Sequence, residues 1–317
     1  MTTSVAMCTY NGAQYIEEQL RSILKQTHPI DEIVVCDDGS KDGTVALIEN
    51  FIKHYPDKIR LIRNPVNMGY TRNFEKAICN CNGDIIFLSD QDDIWMPDKV
   101  EVICNYFETH PDKSFVFTNA ILVNRFGTPC YSCSLFDVVG MDRRNKKLFR
   151  QGHGYQVLST SGRVTGATAA LRASFVPYCI PFPAIGQVHD EMIAISAQLR
   201  NKLGFIERSL IRYRLHEAQS VGLCALFIYP AQRWEMARDI LMWHRSLAEF
   251  DPEIQTDKLS FVYKRFWALR SRIALFRIIG MGLRHEYRTY YPDANIMFWQ
   301  DVKGIIIRFM STFKYKE

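Results

Sequence analysis

The chain has 317 residues, of which 47% are hydrophobic and 23% charged, and its formal net charge is +5. This composition is ordinary for a globular enzyme and excludes the disordered, collagen-like and coiled-coil classes. The length predicts about two domains, large enough to fold without a disulfide or a metal as a staple.

The first third of the chain alternates short apolar stretches with helical patterns. Strands are predicted at 3–8, 32–36, 59–62 and 84–88, and helices at 14–26, 43–54, 71–79 and from Pro97 to about 107. Strands that alternate with helices of this length predict a parallel, doubly wound sheet. The strands are apolar without alternation, as expected when both faces of a sheet are covered.

The pattern becomes less regular after residue 115. It predicts a strand at 114–119, a polar loop over 128–155 with a basic run at 143–147, and a strand within 162–171 packed against the sheet. A helix over 188–199 and a strand pair over 204–214 follow, and the pair leads to His216.

Residues 258–317 carry 12 Lys plus Arg and 4 Asp plus Glu, a net charge of +8 that leaves −3 for the rest of the chain. Thirteen Phe, Tyr and Trp residues are interleaved with these bases. A basic, aromatic helical tail is typical of a surface for anionic membrane lipids. The alternative is a helical tail packed on the body with solvated bases. Nucleic acid is not expected as a partner because no binding motif accompanies the charge.

The cysteines and the apolar segments indicate in which cellular compartment the protein is expected. The nine cysteines show no framework or zinc spacing, which predicts reduced thiols. No basic segment precedes a hydrophobic run at the start, so no signal peptide is expected. The longest uncharged stretches, 173–188 and 218–232, fall short of the ~18 apolar residues that a membrane span needs. We therefore expect a cytoplasmic location.

Polar and acidic clusters stand where three predicted strands end, and ligands bind at the carboxyl ends of such strands. The clusters are 10–12, 37–38 and 90–93. Asp90 and Asp92 can point into one cleft, and carboxylates suit Mg²⁺ or Mn²⁺. The alternative for this pair is a solvated acidic turn.

The two clusters nearer the start of the chain allow a second type of contact. A carboxylate at Asp37 or Asp38 can accept a hydrogen bond from the imide of a pyrimidine base. Alternatively, this segment caps the next helix, with Ser40 or Asp42 as the cap. The Tyr10 ring can stack on a nucleobase. Alternatively, Tyr10 is a partly buried residue of the core.

Four motifs occur in order and together carry a resemblance. They are 8–12 (Cys-Thr-Tyr-Asn-Gly), 37–44 (Asp-Asp-Gly-Ser-Lys-Asp-Gly-Thr), 67–69 (Asn-Met-Gly) with Arg72 and Asn73, and 90–95 (Asp-Gln-Asp-Asp-Ile-Trp). Over roughly residues 3–220 the chain resembles the family 2 inverting glycosyltransferases of GT-A fold. The last motif is most similar to the bacterial branch with rhamnosyltransferases and other cell-surface polysaccharide enzymes. The resemblance implies an α/β fold with a doubly wound, mainly parallel sheet flanked by helices.

The resemblance also implies roles for matching residues on the donor side. Thr9, Tyr10, Asp37 and Asp38 match positions around the pyrimidine base, Arg72 matches a basic position near the donor, and Asp90 and Asp92 match the pair that faces ribose and metal. His216, within 213–216 (Tyr-Arg-Leu-His), matches a metal ligand or diphosphate contact. Its alternative is a structural histidine.

On the acceptor side, Asp190 matches the general base of the family. Glu191 is left open as the alternative base, and His189 is expected to shape the acceptor site. Asp190 opens a predicted helix, so its pKa is expected to be lowered by the helix N-terminus. Trp95 is expected in the acceptor cleft, with a place in the core as its alternative.

These assignments predict an inverting sugar transferase that uses Mg²⁺ or Mn²⁺. The first expected donor is dTDP-rhamnose and the second a UDP-hexose, with a lipid-linked or growing polysaccharide as the acceptor. The enzyme domain is expected at 1–222 and a helical, basic-aromatic extension at 223–317, which would hold the enzyme on the inner face of the cell membrane.

Two other classes remain as alternatives. A sugar-phosphate nucleotidyltransferase would usually show a basic, glycine-rich loop after the first strand, and 11–14 contains no base. A non-catalytic membrane-associated scaffold would retain the fold, but the intact Asp90, Asp92 and Asp190 argue against it.

Overall fold

The computed structural model describes residues 1–158, 163–182, 188–217 and 219, together with residues 278, 279, 281 and 302. The chain divides into two compact units, Met1–Met236 and Ala237–Glu317, and the elements below all belong to the first. The predicted boundary after residue 222 lies outside the described residues, as does the predicted basic tail apart from residues 278, 279, 281 and 302. No helix in the described part is long and apolar enough to cross a membrane.

Nine strands and eight α-helices are described in the first unit. The strands are β1 (Thr3–Thr9), β2 (Glu32–Asp37), β3 (Ile59–Arg63), β4 (Ile85–Ser89), β5 (Ile94–Trp95), β6 (Phe115–Val123), β7 (Pro129–Ser134), β8 (Ala170–Arg172) and β9 (Leu203–Arg214). The helices are α1 (Ile16–Leu24), α2 (Thr44–His54), α3 (Tyr70–Cys79), α4 (Lys99–Thr109), α5 (Leu135–Val138), α6 (Arg143–Arg150), α7 (Tyr155–Leu158) and α8 (His189–Leu199). Short 3₁₀ turns occur at Gly166–Thr168 and Ala173–Tyr178.

The described strands form one sheet in the order β3-β2-β1-β4-β8-β6-β9-β5, and β7 pairs with β6. The first four strands are parallel neighbours, as the alternating pattern predicts. The sheet as a whole is mixed rather than mainly parallel, because β8 returns antiparallel between β4 and β6. The expectation of a mainly parallel sheet therefore holds for the half that contains β1 to β4.

The centre of the sheet is buried on both faces. All seven residues of β1 and all five of β4 are buried, which agrees with their continuous apolar sequence. Ile16, Leu20 and Ile23 place one face of α1 in the core with 0% exposure. These apolar contacts hold the central strands and fix the direction in which their carboxyl ends point.

The segment 128–155 is structured, contrary to the expected loop. It contains β7, α5, α6 and the start of α7, and α6 covers the basic run. Asp142 caps α6 by accepting a hydrogen bond from the Asn145 N–H at 2.7 Å. Leu148 and Phe149 are the buried residues of α6 itself. Two adjacent apolar residues give too short a periodic signal to identify such a helix from sequence.

The second half of the sheet corrects two further expectations. The predicted strand pair over 204–214 is one strand, β9, which pairs with β6 along its length and with β5 near its end. The predicted strand within 162–171 is the 3₁₀ turn Gly166–Thr168 followed by β8. Small residues without alternation do not distinguish a turn from a strand.

The strand register brings the predicted polar clusters to one edge. Thr9 at the end of β1 pairs with Asp37 at the end of β2, and Met7 pairs with Ser89 at the end of β4. The loops that follow these three strands therefore lie side by side at the carboxyl edge of the sheet, where α/β proteins bind ligands.

Candidate active site

A cavity of about 640 Å³ opens at this carboxyl edge. Its walls come from parts of 8–15, 67–74, 90–92, 164–166 and 188–191, with Asp38, Val139, Tyr213, His216 and Gln219. The cavity thus brings together the loops after β1, β2 and β4 with the first turn of α8. Of the residues predicted from sequence, Thr9, Tyr10, Asp38, Asp90, Asp92, His189, Asp190, Glu191 and His216 line it.

The acidic loop after β4 contacts the segment after β9. His216 Nε2 lies 2.8 Å from Asp92 Oδ2, and both side chains are largely buried. Burial, together with the carboxylates of Asp92 and Asp190, raises the pKa of Asp90. Negative charge is therefore costly at this wall in the absence of a cation.

The donor set fits a hard divalent cation that is delivered with a phosphate ligand. Among the described residues, no group of three His, Cys, Asp or Glu side chains is close enough to hold an ion alone. Mg²⁺ commonly needs only one or two carboxylates, with phosphate oxygens and water as its other ligands. Asp92 and His216, with Asp90 beside them, meet that requirement, and the His216 Nδ1 atom is buried without a described partner.

Arg214 at the end of β9 supports the acidic loop from behind. Its guanidinium is 1% exposed and donates to the Asp92 carbonyl at 2.6 Å and the Arg125 carbonyl at 2.8 Å. It also reaches the Glu18 carboxylate at 2.5 Å, and the Arg214 N–H donates to Asp93 Oδ1 at 2.9 Å. Sequence reasoning named the segment 213–216 but missed this supporting role, which only the β5–β9 pairing reveals.

The two adjacent aspartates after β2 have different surroundings. Asp37 is 1% exposed, does not line the cavity and accepts hydrogen bonds from the Thr9 hydroxyl and the Ser40 N–H. It therefore organises the turn after β2. The alternative expected from sequence, a cap on the next helix by Ser40 or Asp42, is not what the structure shows, because the cap position of α2 is Gly43, without a side-chain cap hydrogen bond. Asp38 lines the cavity, but its oxygens accept from Asn64 Nδ2 and the Gly69 N–H.

Tyr10 presents its ring at the mouth of the cavity, with 43% exposure. Its backbone is clamped by Gln91, which accepts from the Tyr10 N–H at 2.8 Å and donates to the Tyr10 carbonyl at 3.0 Å. A Cβ at Gly12 would lie 2.1 Å from Gln91 Oε1, so this clamp requires glycine there. Sequence reasoning missed Gln91 and Gly12, although both stand inside the motifs it singled out.

Besides Asp37, two other predicted site residues lie outside the cavity. Arg72 pairs with Glu75 at 2.8 Å on α3 and does not line the wall. Trp95 is 3% exposed, and its ring packs against Phe87 and lies under the Lys99 ammonium. The structure therefore places Trp95 in the core and not in the acceptor cleft, because β5 pairs with β9 and turns this large apolar side chain inward.

Asp190 lies in the first turn of α8 and is 7% exposed. Its Oδ2 accepts the Gly166 N–H and its Oδ1 the Glu191 N–H, both at 2.7 Å. Burial nevertheless raises the pKa of Asp190 to about 6. The lowered pKa expected from the helix N-terminus is wrong, because the loss of water outweighs the hydrogen bonds. A raised pKa makes this carboxylate a stronger base.

His189 forms the wall beside Asp190. Its ring stacks on Phe74 with centroids 3.8 Å apart, and burial lowers the pKa of His189 to about 3. The imidazole is therefore neutral, and neither ring nitrogen has a hydrogen-bond partner among the described residues. A neutral imidazole supplies no charge to stabilise the neighbouring carboxylate, which is consistent with the raised pKa of Asp190.

The mixed α/β sheet with flanking helices has the fold of the GT-A glycosyltransferases, as comparison with known structures shows. S. aureus TarS 1-349 in complex with UDP-GlcNAc superposes with a TM-score of 0.59 at 17% identity, covering 95% of this chain and 82% of that one. The mannosyltransferase PcManGT from Pyrobaculum calidifontis, in complex with GDP-Man and Mn²⁺, gives 0.54 at 16% identity, covering 100% and 88%. At these identities the likeness shows the fold.

The sequence profile of Glycosyl transferase family 2 matches residues 4–175. The dTDP-rhamnosyl transferase RfbG of Shigella flexneri is 30% identical over 253 residues, which are 75% of this chain and 81% of that protein. The chain therefore belongs to glycosyltransferase family 2. Several other curated relatives are matched over only 32 to 49% of their own length. The family, fold class and enzyme class predicted from sequence are confirmed.

Proposed function

We propose that this enzyme transfers a sugar, with inversion, from a nucleotide diphosphate donor to a hydroxyl of a lipid-linked or growing cell-surface polysaccharide. The observation that carries the proposal is the placement of a buried carboxylate, Asp190, in the same cavity as the Asp92–His216 pair. Displacement at an anomeric carbon needs a proton acceptor near the incoming hydroxyl and charge neutralisation at the leaving diphosphate.

The donor side of the cavity supports a pyrimidine nucleotide. The exposed Tyr10 ring offers a stacking surface for the base, and Thr9 and Asp38 lie beside it. RfbG is named as a dTDP-rhamnosyl transferase, which supports dTDP-rhamnose as the first donor to test. The UDP-GlcNAc complex of TarS supports a UDP-hexose as the second.

Asp92 and His216, with Asp90 beside them, would hold Mg²⁺ or Mn²⁺, which neutralises the charge of the departing diphosphate. The Mn²⁺ complex of PcManGT supports such an ion. Arg214 keeps the acidic loop in place by holding the Asp92 carbonyl, so the ligands need little rearrangement when the donor arrives.

Asp190 acts as the general base. It accepts the proton of the acceptor hydroxyl while the hydroxyl oxygen bonds to the anomeric carbon from the face opposite the diphosphate, and the bond to the diphosphate breaks. The pKa of about 6 lets Asp190 remain ionised at neutral pH while being more basic than an ordinary aspartate. Glu191, which also lines the cavity, is the alternative base.

The composition of the C-terminal residues supports a membrane location and, with it, a lipid-linked acceptor. The basic, aromatic residues 258–317 would bind anionic lipids on the inner face of the cell membrane and hold the enzyme near a lipid-linked acceptor. Loss of binding to anionic vesicles on truncation before Lys258 tests this, and unchanged binding would contradict it.

The central experiment measures thermal stabilisation by dTDP, UDP, GDP and their sugars, each with and without Mn²⁺. We expect a metal-dependent increase in Tm with dTDP- or UDP-sugars. Asp190→Asn should retain that shift while sugar transfer falls at least ~100-fold. Glu191→Gln is the matched control, and retention of the transfer rate by Asp190→Asn with its loss in Glu191→Gln would reassign the base. No shift with any nucleotide would favour the scaffold alternative.

A further inference from the structure

A lysine is fully buried behind the cavity. Lys99 at the start of α4 is 0% exposed, and its ammonium donates to the Ala167 carbonyl at 2.8 Å. The same ammonium lies 3.8 Å from the centroid of the Trp95 ring. A buried ammonium loses its hydration, so a lysine is expected in a core only where it makes a specific contact. Burial lowers the pKa of Lys99 to about 7, although the carboxylates of Asp93 and Asp90 favour its charged form. Its hydrogen bond goes to the backbone carbonyl of Ala167 and not to either carboxylate.

That carbonyl belongs to the turn that holds Asp190. Ala167 is the middle residue of the 3₁₀ turn Gly166–Thr168. The N–H of Gly166, one residue earlier, donates to Asp190 Oδ2 at 2.7 Å. The turn is closed by hydrogen bonds from the Thr168 hydroxyl to the Thr165 carbonyl and from the Ala169 N–H to the Gly166 carbonyl. Lys99 and Asp190 therefore each form a hydrogen bond with the backbone of the same short turn.

The space around Gly166 is tightly filled. A Cβ on Gly166 would lie 2.8 Å from His189 Nε2 and 3.3 Å from Asp190 Oδ2. The turn is thus packed directly against both residues that open α8. A small movement of the turn would change the position of the carboxylate as well as its hydrogen bond.

We propose that Lys99 is a positioning residue for Asp190: its buried ammonium anchors the Ala167 carbonyl, and the anchored turn holds the Gly166 N–H on the carboxylate. Lys99 does not contact the substrate. The inference rests on the proposed function in so far as Asp190 is assigned the role of base.

The first test compares Lys99→Met with Lys58→Met. Methionine keeps an unbranched apolar side chain of similar length but cannot donate to a carbonyl. Lys58 makes the same kind of bond, to the Ile30 carbonyl at 2.9 Å, and does not line the cavity. We expect Lys99→Met to lower kcat about 10- to 100-fold with the donor KM unchanged, because misplacement of a catalytic group affects the chemical step. Lys58→Met should keep both constants.

A second variant tests the same proposal in case Lys99→Met does not fold. Gly166→Ala retains the lysine and pushes on His189 and Asp190, and it should give the same loss of kcat. In an Asp190→Asn background, neither Lys99→Met nor Gly166→Ala should lower kcat further, because the effects of coupled residues are not additive. Undiminished kcat in both variants, or full additivity with Asp190→Asn, would overturn the proposal.

A readout without activity separates this proposal from the proposed function. The difference in unfolding free energy between a protein and its Asp190→Asn version, followed against pH, reports the titration of Asp190. Lys99→Met and Gly166→Ala should both move that titration to higher pH, because the carboxylate loses the firm Gly166 hydrogen bond. Gly166→Ala does so without removing the charge of Lys99. An unmoved titration refutes the positioning role even if the enzyme is active. A moved titration supports it even if no nucleotide sugar serves as donor.

Discussion

Replacement of Arg214 by methionine tests how the acidic loop is held. Methionine retains an apolar stem beside Tyr15 but removes the donors to the Asp92 and Arg125 carbonyls. Each bond from a buried charged donor contributes about 1.5–3 kcal/mol. The bond to Glu18 adds little, because that carboxylate is 54% exposed. The expected loss from these two bonds is therefore about 3–6 kcal/mol.

A loss of this size should lower Tm by about 10 °C in a unit of this length. Thermal unfolding followed by circular dichroism measures it, and the same samples with UDP or dTDP and Mn²⁺ report nucleotide binding. We expect the metal-dependent shift to disappear, because Asp92 is no longer anchored. Arg21→Met is the control, since Arg21 forms an exposed pair with Glu17 and should change stability by less than about 0.5 kcal/mol. A Tm loss below about 2 °C for Arg214→Met, with normal nucleotide binding, would refute the reasoning.

Two further outcomes are expected. The pKa of Asp190, raised to about 6, predicts that kcat/KM rises as pH increases through 6. It also predicts that wild-type stability falls by about 3 kcal/mol relative to Asp190→Asn as pH increases from about 3 to 7. Initial rates and urea unfolding across that window measure both, and flat profiles would mean that Asp190 titrates as an ordinary aspartate. Gly12→Ala should weaken nucleotide binding about 10-fold by driving Gln91 off the Tyr10 backbone. Calorimetric titration checks it against Gly43→Ala, whose added Cβ meets only Ala13 at 3.7 Å.

The part of the fold that sequence predicts best is the part made by local patterns. The strands β1, β2 and β4 are continuous apolar stretches, and the helices between them show regular apolar spacing, so both their type and order were predictable. The position of the site followed as well, because parallel strands bring the residues after Thr9, Asp37 and Ser89 to one edge.

The remaining features depend on contacts between distant segments. The antiparallel β8 enters the sheet between strands that no local pattern joins. In the sequence, nothing distinguishes Arg214 from the other basic residues. Its role depends on its position at the end of β9, where it donates to the Asp92 carbonyl. Trp95 follows an acidic motif and was expected in the cleft, but its pairing partner in β9 turns it into the core. Burial of a single side chain is decided by tertiary packing, which a local pattern does not contain.

The pKa of Asp190 shows the same limit in energetic terms. A position in the first turn of a helix favours the ionised carboxylate through the helix dipole, typically by less than ~1 kcal/mol when water is near. Here the carboxylate is 7% exposed, and its neighbours include the neutral His189 ring stacked on Phe74. The loss of water destabilises the ionised carboxylate by more than the helix dipole and the two N–H donors stabilise it. The pKa of Asp190 therefore rises rather than falls. The strength of this base is therefore set by the cavity wall, with residues from α3, α8 and the Gly166–Thr168 turn, and not by the helix that carries it.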